Sequence, residues 1–190
     1  METNEVNAAF EILLEEIESV ANALNETGAD AFRSGDYDRA RQAIEESTRL
    51  SEFREKLKAL QKEWAGLSTQ RWKTRARKAM RPGKGRLARG LRTPEEAYRK
   101  PILEALMELG GSAPVSEVLD KVELKMKDVL NAYDREPLPS DPRSVRWRNT
   151  AQWCRTTLVR EGLMKRDSPY GIWEISKEGQ RWLQKETPQR

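Results

Sequence analysis

Apolar residues fall at helical spacing over the first third of the chain. From about Asn4 to Phe32, Phe10, Leu13, Leu14, Ile17, Val20, Ala21 and Leu24 recur every three or four positions, which predicts one long amphipathic helix. Ser34-Gly35-Asp36 then reads as a tight turn: Gly35 can take positive φ, and Asp36 can cap the next helix. That second helix runs from about Tyr37 to Leu67, and Leu50, Phe53, Leu57, Leu60, Trp64 and Leu67 give its later half a heptad. The prediction for 1–67 is an antiparallel, coiled-coil-like helical hairpin. Apolar residues lie on more than one face of each helix, as with Leu13 beside Leu14, and two helices cannot bury them all. A partner surface follows, most simply a second copy giving a four-helix bundle. A homodimer is expected, a tetramer fits equally, and packing of the hairpin onto its own C-terminal domain is the alternative. The oligomerisation residues read from the pattern are Phe10, Leu14, Ile17, Leu50, Phe53, Leu57, Leu60 and Trp64.

Residues 68–93 lose that periodicity and change in charge. The formal net charge of +4 is unevenly spread: 8 basic and 15 acidic residues in 1–67, 10 basic and no acidic in 68–93, 17 basic and 16 acidic in 94–190. Pro82-Gly83-Lys84-Gly85 breaks any helix there, so the stretch reads as a basic linker. Its cations are Arg71, Lys73, Arg75, Arg77, Lys78, Arg81, Lys84, Arg86, Arg89 and Arg92. Such a run neutralises phosphates and releases condensed counterions, a sequence-independent source of nucleic-acid affinity. The core Arg81-Pro82-Gly83-Lys84-Gly85-Arg86 resembles an AT-hook, with the order changed and a lysine in place of an arginine, which implies a minor-groove arm.

From 94 onward, short helices alternate with turns. Thr93-Pro94-Glu95-Glu96 has a capping hydroxyl, a first-turn proline and acids at the positive helix end. Ile102, Leu103, Leu106 and Leu109 carry the helix to Gly110-Gly111, and Pro101 implies a restart near Arg99. A second helix is expected from Ser116 to Leu124 and a short third near Met126 to Tyr133, before a rigid loop from Pro137 to Pro142. Ser144 to Gly162 reads as the helix on which this domain turns, capped by Asp141 or Ser144 and closed by Gly162. Beyond it, Leu163–Arg166 and Ile172–Ile175 predict a β-hairpin around Asp167–Gly171, and a last helix begins near Lys177. That order is the order of a winged helix-turn-helix domain, whose third helix enters the major groove. The fold class is thus mainly α: hairpin at 1–67, basic linker at 68–93, winged-helix domain at 94–190.

Within the central helix, Trp147, Ala151, Cys154 and Leu158 form an apolar stripe facing a core. The opposite side carries no carboxylate. Arg146, Asn149, Gln152 and Thr156 on that side are the candidate base readers, since amides and guanidinium groups match base-edge donors and acceptors. Arg143, Arg148, Arg160, Lys165, Arg166 and Tyr170 are candidate backbone contacts on the helix flanks and the wing.

Other chemistries find little support. With no histidine and one cysteine, Cys154 on the apolar stripe, zinc coordination and a histidine-based nucleophile pair are not expected. Asp120 with Glu123-Leu124-Lys125 is the nearest approach to a metal-dependent nuclease set, but it lies in one helical stretch without a strand pair. Gly83-Lys84-Gly85 lacks the strand, helix and hydroxyl of a phosphate loop. No cofactor, metal or enzymatic activity is expected. No run approaches a membrane span and the N-terminus has no leader pattern, so a cytoplasmic, nucleoid-associated protein with no membrane partner is expected.

Two resemblances add to this. Ala29 to Ser47, with Gly35-Asp36-Tyr37 and Ala40, resembles the helix-turn-helix of a tetratricopeptide repeat, in a single copy. The run from Tyr98 to Leu183 resembles the N-terminal domain of Mrr-type restriction endonucleases. The residues that carry the likeness are Pro101 to Leu106, Gly110-Gly111, Trp147-Arg148-Asn149, Trp153-Cys154-Arg155, Leu158, Glu161-Gly162-Leu163, Gly171 to Ile175 and Gly179. The resemblance implies a winged-helix DNA-recognition domain, here without the PD-(D/E)xK nuclease domain that follows it in those enzymes. The leading expectation is a sequence-specific double-stranded-DNA-binding protein, a dimeric transcriptional regulator. The alternatives are an accessory or assembly subunit of a DNA-processing or defence system, docked through the hairpin, and a non-specific architectural DNA binder.

Overall fold

The computed structural model describes residues 5–67, 91–138 and 141–186, and the chain forms two compact units that divide at Leu91/Arg92. In the first, α1 (Glu5–Arg33) and α2 (Tyr37–Leu67) form the expected antiparallel hairpin. The Asp36 carboxylate accepts the Arg39 N–H at 3.1 Å, the predicted cap, while the Gly35 and Asp36 N–H groups close α1 on Phe32 O and Ala31 O. The register is constant. Gln61 donates to Glu11 at 2.8 Å, Arg54 to Glu18 at 2.7 Å, and Ser47 to Asn25 at 2.7 Å. Toward the turn the seam narrows to Gly28, Ala31, Ala40 and Ala43, and a cavity of about 350 Å³ opens beside it between Leu24, Phe32 and Ile44.

The hairpin corrects part of the expected oligomerisation surface. Leu14, Ile17 and Leu57 are buried against each other, with Phe10 packed on them. They lie on the seam between α1 and α2, so the hairpin itself covers them. Phe53 and Leu60 remain about half exposed, and so do Leu13 and Val20, which the apolar pattern alone does not assign to that surface. Leu50 and Trp64 are intermediate.

The second unit begins at Arg92. A 3-10 turn (Glu95–Tyr98) leads into α3 (Arg99–Glu108), followed by β1 (Ser112–Pro114) and α4 (Val115–Lys125). A second 3-10 turn (Tyr133–Arg135) precedes β2 (Pro137–Leu138), β3 (Asp141–Val145) and α5 (Arg146–Arg160). β4 (Ile172–Glu174) and α6 (Lys177–Glu186) complete it. Pro101 is the third residue of α3, where the missing N–H has no intrahelical acceptor to lose. Thr93 does not cap this segment: its N–H and hydroxyl donate to the buried Asp134 carboxylate at 2.7 and 2.6 Å. The core joins α3, α4 and α5 through Ile102, Leu103, Leu106, Val118, Val122, Trp147 and Leu158, with Trp173 from β4 closing one side.

Two predicted segments take other forms. The loop from Pro137 contains the short antiparallel pair β2–β3, with Pro137 opposite Val145. The hairpin expected around Asp167–Gly171 contracts to a single bridge between Met164 and Ile175, supported by the Lys165 N–H on Glu174 O at 2.9 Å. β4 instead pairs along its whole length with β1, Ala113 opposite Trp173. This is the small sheet of a winged helix, with residues 166–171 as the wing loop.

Candidate nucleic-acid interface

α5 starts at Val145 in extended conformation with no side-chain cap; Asp141 takes up the Ser144 hydroxyl at 2.8 Å, so neither residue caps the helix as expected. It ends as predicted. Gly162 stands at φ +74°, and the Gly162 and Leu163 N–H groups close on Val159 O and Leu158 O at 3.1 and 2.8 Å.

Trp147, Ala151, Cys154 and Leu158 face the core as predicted. The face opposite them is largely covered as well. Arg146, Asn149, Thr150, Trp153 and Thr157 are all buried, because the two 3-10 turns and the β2–β3 pair pack along that side of α5. Arg146 and Asn149 are therefore removed from the set that could reach base edges. The Arg146 guanidinium lies 4.2 Å from the Tyr133 ring centroid, and its Nε is 3.8 Å from the Glu136 carboxylate. Its backbone N–H donates to Glu136 O. Thr157 donates to buried Glu95 at 2.6 Å. This side of the helix is a polar seam inside the unit.

The surface left open is a strip beside the core stripe. Arg148, Gln152, Arg155 and Val159 recur at helical spacing on it, with Thr156 and Arg160 at its margin. Gln152 and Arg160 are exposed, and the others are partly so. The Thr156 hydroxyl donates back to Gln152 O at 3.2 Å, so these two candidates lie together. Arg155 lies on this strip too, outside the set read from the sequence. It has no acidic partner among the described residues, its Nε lacks a hydrogen-bond partner, and burial pulls its basicity below that of an ordinary arginine. The signal was in the sequence, since 148, 152, 155 and 159 each follow a core residue by one.

The acids around this strip are mostly held by other cations. Glu161 accepts both Nη groups of Arg99, and that hydrogen bonding raises the Arg99 pKa above the usual arginine value. Arg99 also lies 5.5 Å from the Trp182 ring centroid. Asp120 of α4 reaches the strip itself and pairs with Arg148 at 3.2 Å. On the wing, Lys165 is held by Glu174, which raises its pKa and commits its charge within the sheet; it is less available to phosphate than expected. Arg166 and Tyr170 are exposed, Tyr170 completely. Arg143 is exposed too and pairs with Asp141 at 3.3 Å, while hydrogen bonds from Ser144 and Arg143 lower the Asp141 pKa.

Arg92 is corrected as a linker cation. It is only 2 % exposed, so it belongs to the interior of the second unit. Arg71, Lys73, Arg75, Arg77, Lys78, Arg81, Lys84, Arg86 and Arg89 lie outside the described residues. Among the described residues no cluster of acidic or cysteine side chains is placed to hold a metal ion, and Asp120, Glu123 and Lys125 share the single helix α4. No described helix is long and apolar enough to cross a membrane.

The second unit is therefore a winged helix-turn-helix domain, with α4 and α5 as the helix pair and 166–171 as the wing. Residues 96–185 match the family model of the Mrr N-terminal domain, and this part of the chain is similar to that domain. No curated protein and no solved structure matches the chain.

Proposed function

We propose that the second unit binds double-stranded DNA with sequence preference, as a non-enzymatic regulator, with α5 in the major groove. Gln152 and Thr156 read base edges, Arg148 and Arg155 contact bases or phosphates, and Arg143, Arg160, Arg166 and Tyr170 hold the backbone from the flanks and wing. The observation that carries this reading is Arg155, a cation without an acidic partner among the described residues on the open strip of α5. The similarity to the Mrr N-terminal domain supports it. The basic linker adds affinity without sequence information.

The test is retention of a randomised duplex pool by the whole protein at two salt concentrations, followed by sequencing. A motif enriched by the native protein and blurred at one position by Gln152→Ala supports base reading. Retention without enrichment demotes the protein to an architectural binder, and no retention near physiological salt removes DNA from its partners. Arg166→Ala deletes one cation that neutralises a phosphate, so the slope of log K against log salt should flatten by about 0.9.

A further inference from the structure

The hairpin carries an apolar surface that holds none of the proposed DNA contacts. Its register places Glu18 beside Arg54, Glu11 beside Gln61 and Asn25 beside Ser47. The residues that make these cross-helix bonds lie to one side of the seam. On α1 the other flank carries Leu13 and Val20, seven residues apart; on α2 it carries Phe53 and Leu60, also seven apart. In an antiparallel helix pair, corresponding flanking positions of the two helices share one side. The same register sets Val20 level with Phe53 and Leu13 level with Leu60. The four are 45 to 54 % exposed, and half-buried Phe10, Leu50 and Trp64 continue the face toward the seam. Exposed apolar side chains gathered on one side of a helix pair in this way fit an interaction site.

We propose that this face packs against the same face of a second copy of the chain, with the two-fold axis running along the helices so that both hairpin turns lie at the same end. The charges at its margins select the occupant and the arrangement. Beyond Leu13 and Val20 the α1 margin carries exposed Glu16; beyond Phe53 and Leu60 the α2 margin carries exposed Arg49 and Lys56. By the hairpin register Glu16 stands at the height of Lys56. A two-fold axis along the helices lays α1 over α2 of the second copy, which brings Glu16 to Lys56 twice. An axis across the helices lays α1 over α1 and α2 over α2, setting Glu16 against Glu16 and Lys56 against Lys56. The margins favour the first arrangement and oppose the second. It brings the C-terminal ends of both α2 helices to the same end of the dimer. The association does not depend on the DNA-binding reading.

Sedimentation of the whole protein without DNA tests this. The native chain is expected at about 44 kDa, twice its 21.9 kDa. Val20→Glu and Phe53→Glu should each weaken association at least tenfold with unchanged helical circular dichroism, while Leu124→Glu on exposed α4 leaves it unchanged. Glu16→Lys and Lys56→Glu should each weaken the dimer, and the double reversal should restore it. A monomer at all concentrations, or a dimer indifferent to Val20→Glu and Phe53→Glu, overturns the proposal and gives the face to another partner. A dimer indifferent to both charge reversals overturns the arrangement.

Discussion

The Arg146 guanidinium stacks 4.2 Å from the centroid of the Tyr133 ring, beneath the surface that its position on α5 would suggest. Stacking of a desolvated cation on an aromatic face contributes about 2 kcal/mol. Arg146→Ala should therefore lower the unfolding free energy by about that amount, read from urea titrations, and leave base preference unaltered. Gln152→Ala should do the opposite. An exposed side chain of this kind moves stability by less than about 0.5 kcal/mol, while removing an amide–base hydrogen-bond pair costs about 1–3 kcal/mol of discrimination at one base pair. An Arg146→Ala protein that is fully stable but has lost its sequence preference would put the reading strip on the wrong side of α5.

Glu18 and Arg54 form a second relationship of this kind, an ion pair across the hairpin at 2.7 Å with both side chains fully buried. Removing one partner of a buried ion pair costs about 3–5 kcal/mol; Arg54 also contacts Glu55 at 3.0 Å, so Glu18→Leu should fall toward the lower end of that range. Arg54→Met and Glu18→Leu should each be strongly destabilising, and the double substitution should recover most of the loss, because neither half of the buried pair then remains. A double-mutant cycle by chemical denaturation measures the coupling. If the losses of the single variants simply add, the pair is not holding the hairpin.

Gly179 shows why the last helix sits where it does. A Cβ built there would lie 2.1 Å from Leu163 O and 2.8 Å from Ile175 Cγ1, and a backbone carbonyl held beside the sheet bridge cannot swing away. Gly179→Ala should destabilise the second unit by about 3 kcal/mol through overpacking. The expected readout is a lower melting temperature for that unit with the hairpin helices unaffected. A native-like melt would show that α6 shifts to accommodate the methyl group.

These positions show how far the sequence could be read. The long helices, the Asp36 cap, the Gly162 ending and the core stripe from Trp147 to Leu158 follow from spacing and local chemistry, because each depends on residues within one or two turns. Apart from the Asp141–Ser144 bond that replaces the cap of α5, the departures depend on distant segments. Nothing in the helix pattern shows that the 3-10 turns at Glu95–Tyr98 and Tyr133–Arg135 cover Arg146, Asn149 and Thr157. Polarity along a helix does not establish exposure, and the buried acids Glu95 and Asp134 that satisfy Thr157 and Thr93 come from far along the chain. Thr93 was spent on Asp134 rather than on its own helix, for the same reason. Strand pairing shows the same limit: Met164 and Lys165 hold one edge of 172–175, as expected, but the other edge goes to β1 from far upstream. In the hairpin, the heptad located the apolar residues but could not sort those used between α1 and α2 from those left outside.

Asp120 gives the sharpest functional expectation. Its carboxylate lies 3.2 Å from Arg148 Nη2 and is itself 68 % exposed, so it sits where DNA phosphates would approach the open strip. An exposed pair of this kind contributes at most about 1 kcal/mol to stability, so Asp120→Asn should leave folding nearly unchanged. In the complex the same carboxylate repels the phosphates and competes for Arg148. Asp120→Asn should therefore tighten DNA binding several-fold at moderate salt, with the gain shrinking as salt rises. Arg148→Ala should weaken binding, and adding Asp120→Asn to it should recover less than the same change gives in the native protein, since only the repulsion is then removed. Fluorescence anisotropy titrations of the four proteins at two salt concentrations make the comparison. If Asp120→Asn leaves affinity unchanged at both, α4 and the start of α5 do not face the duplex, and the approach must be through the wing.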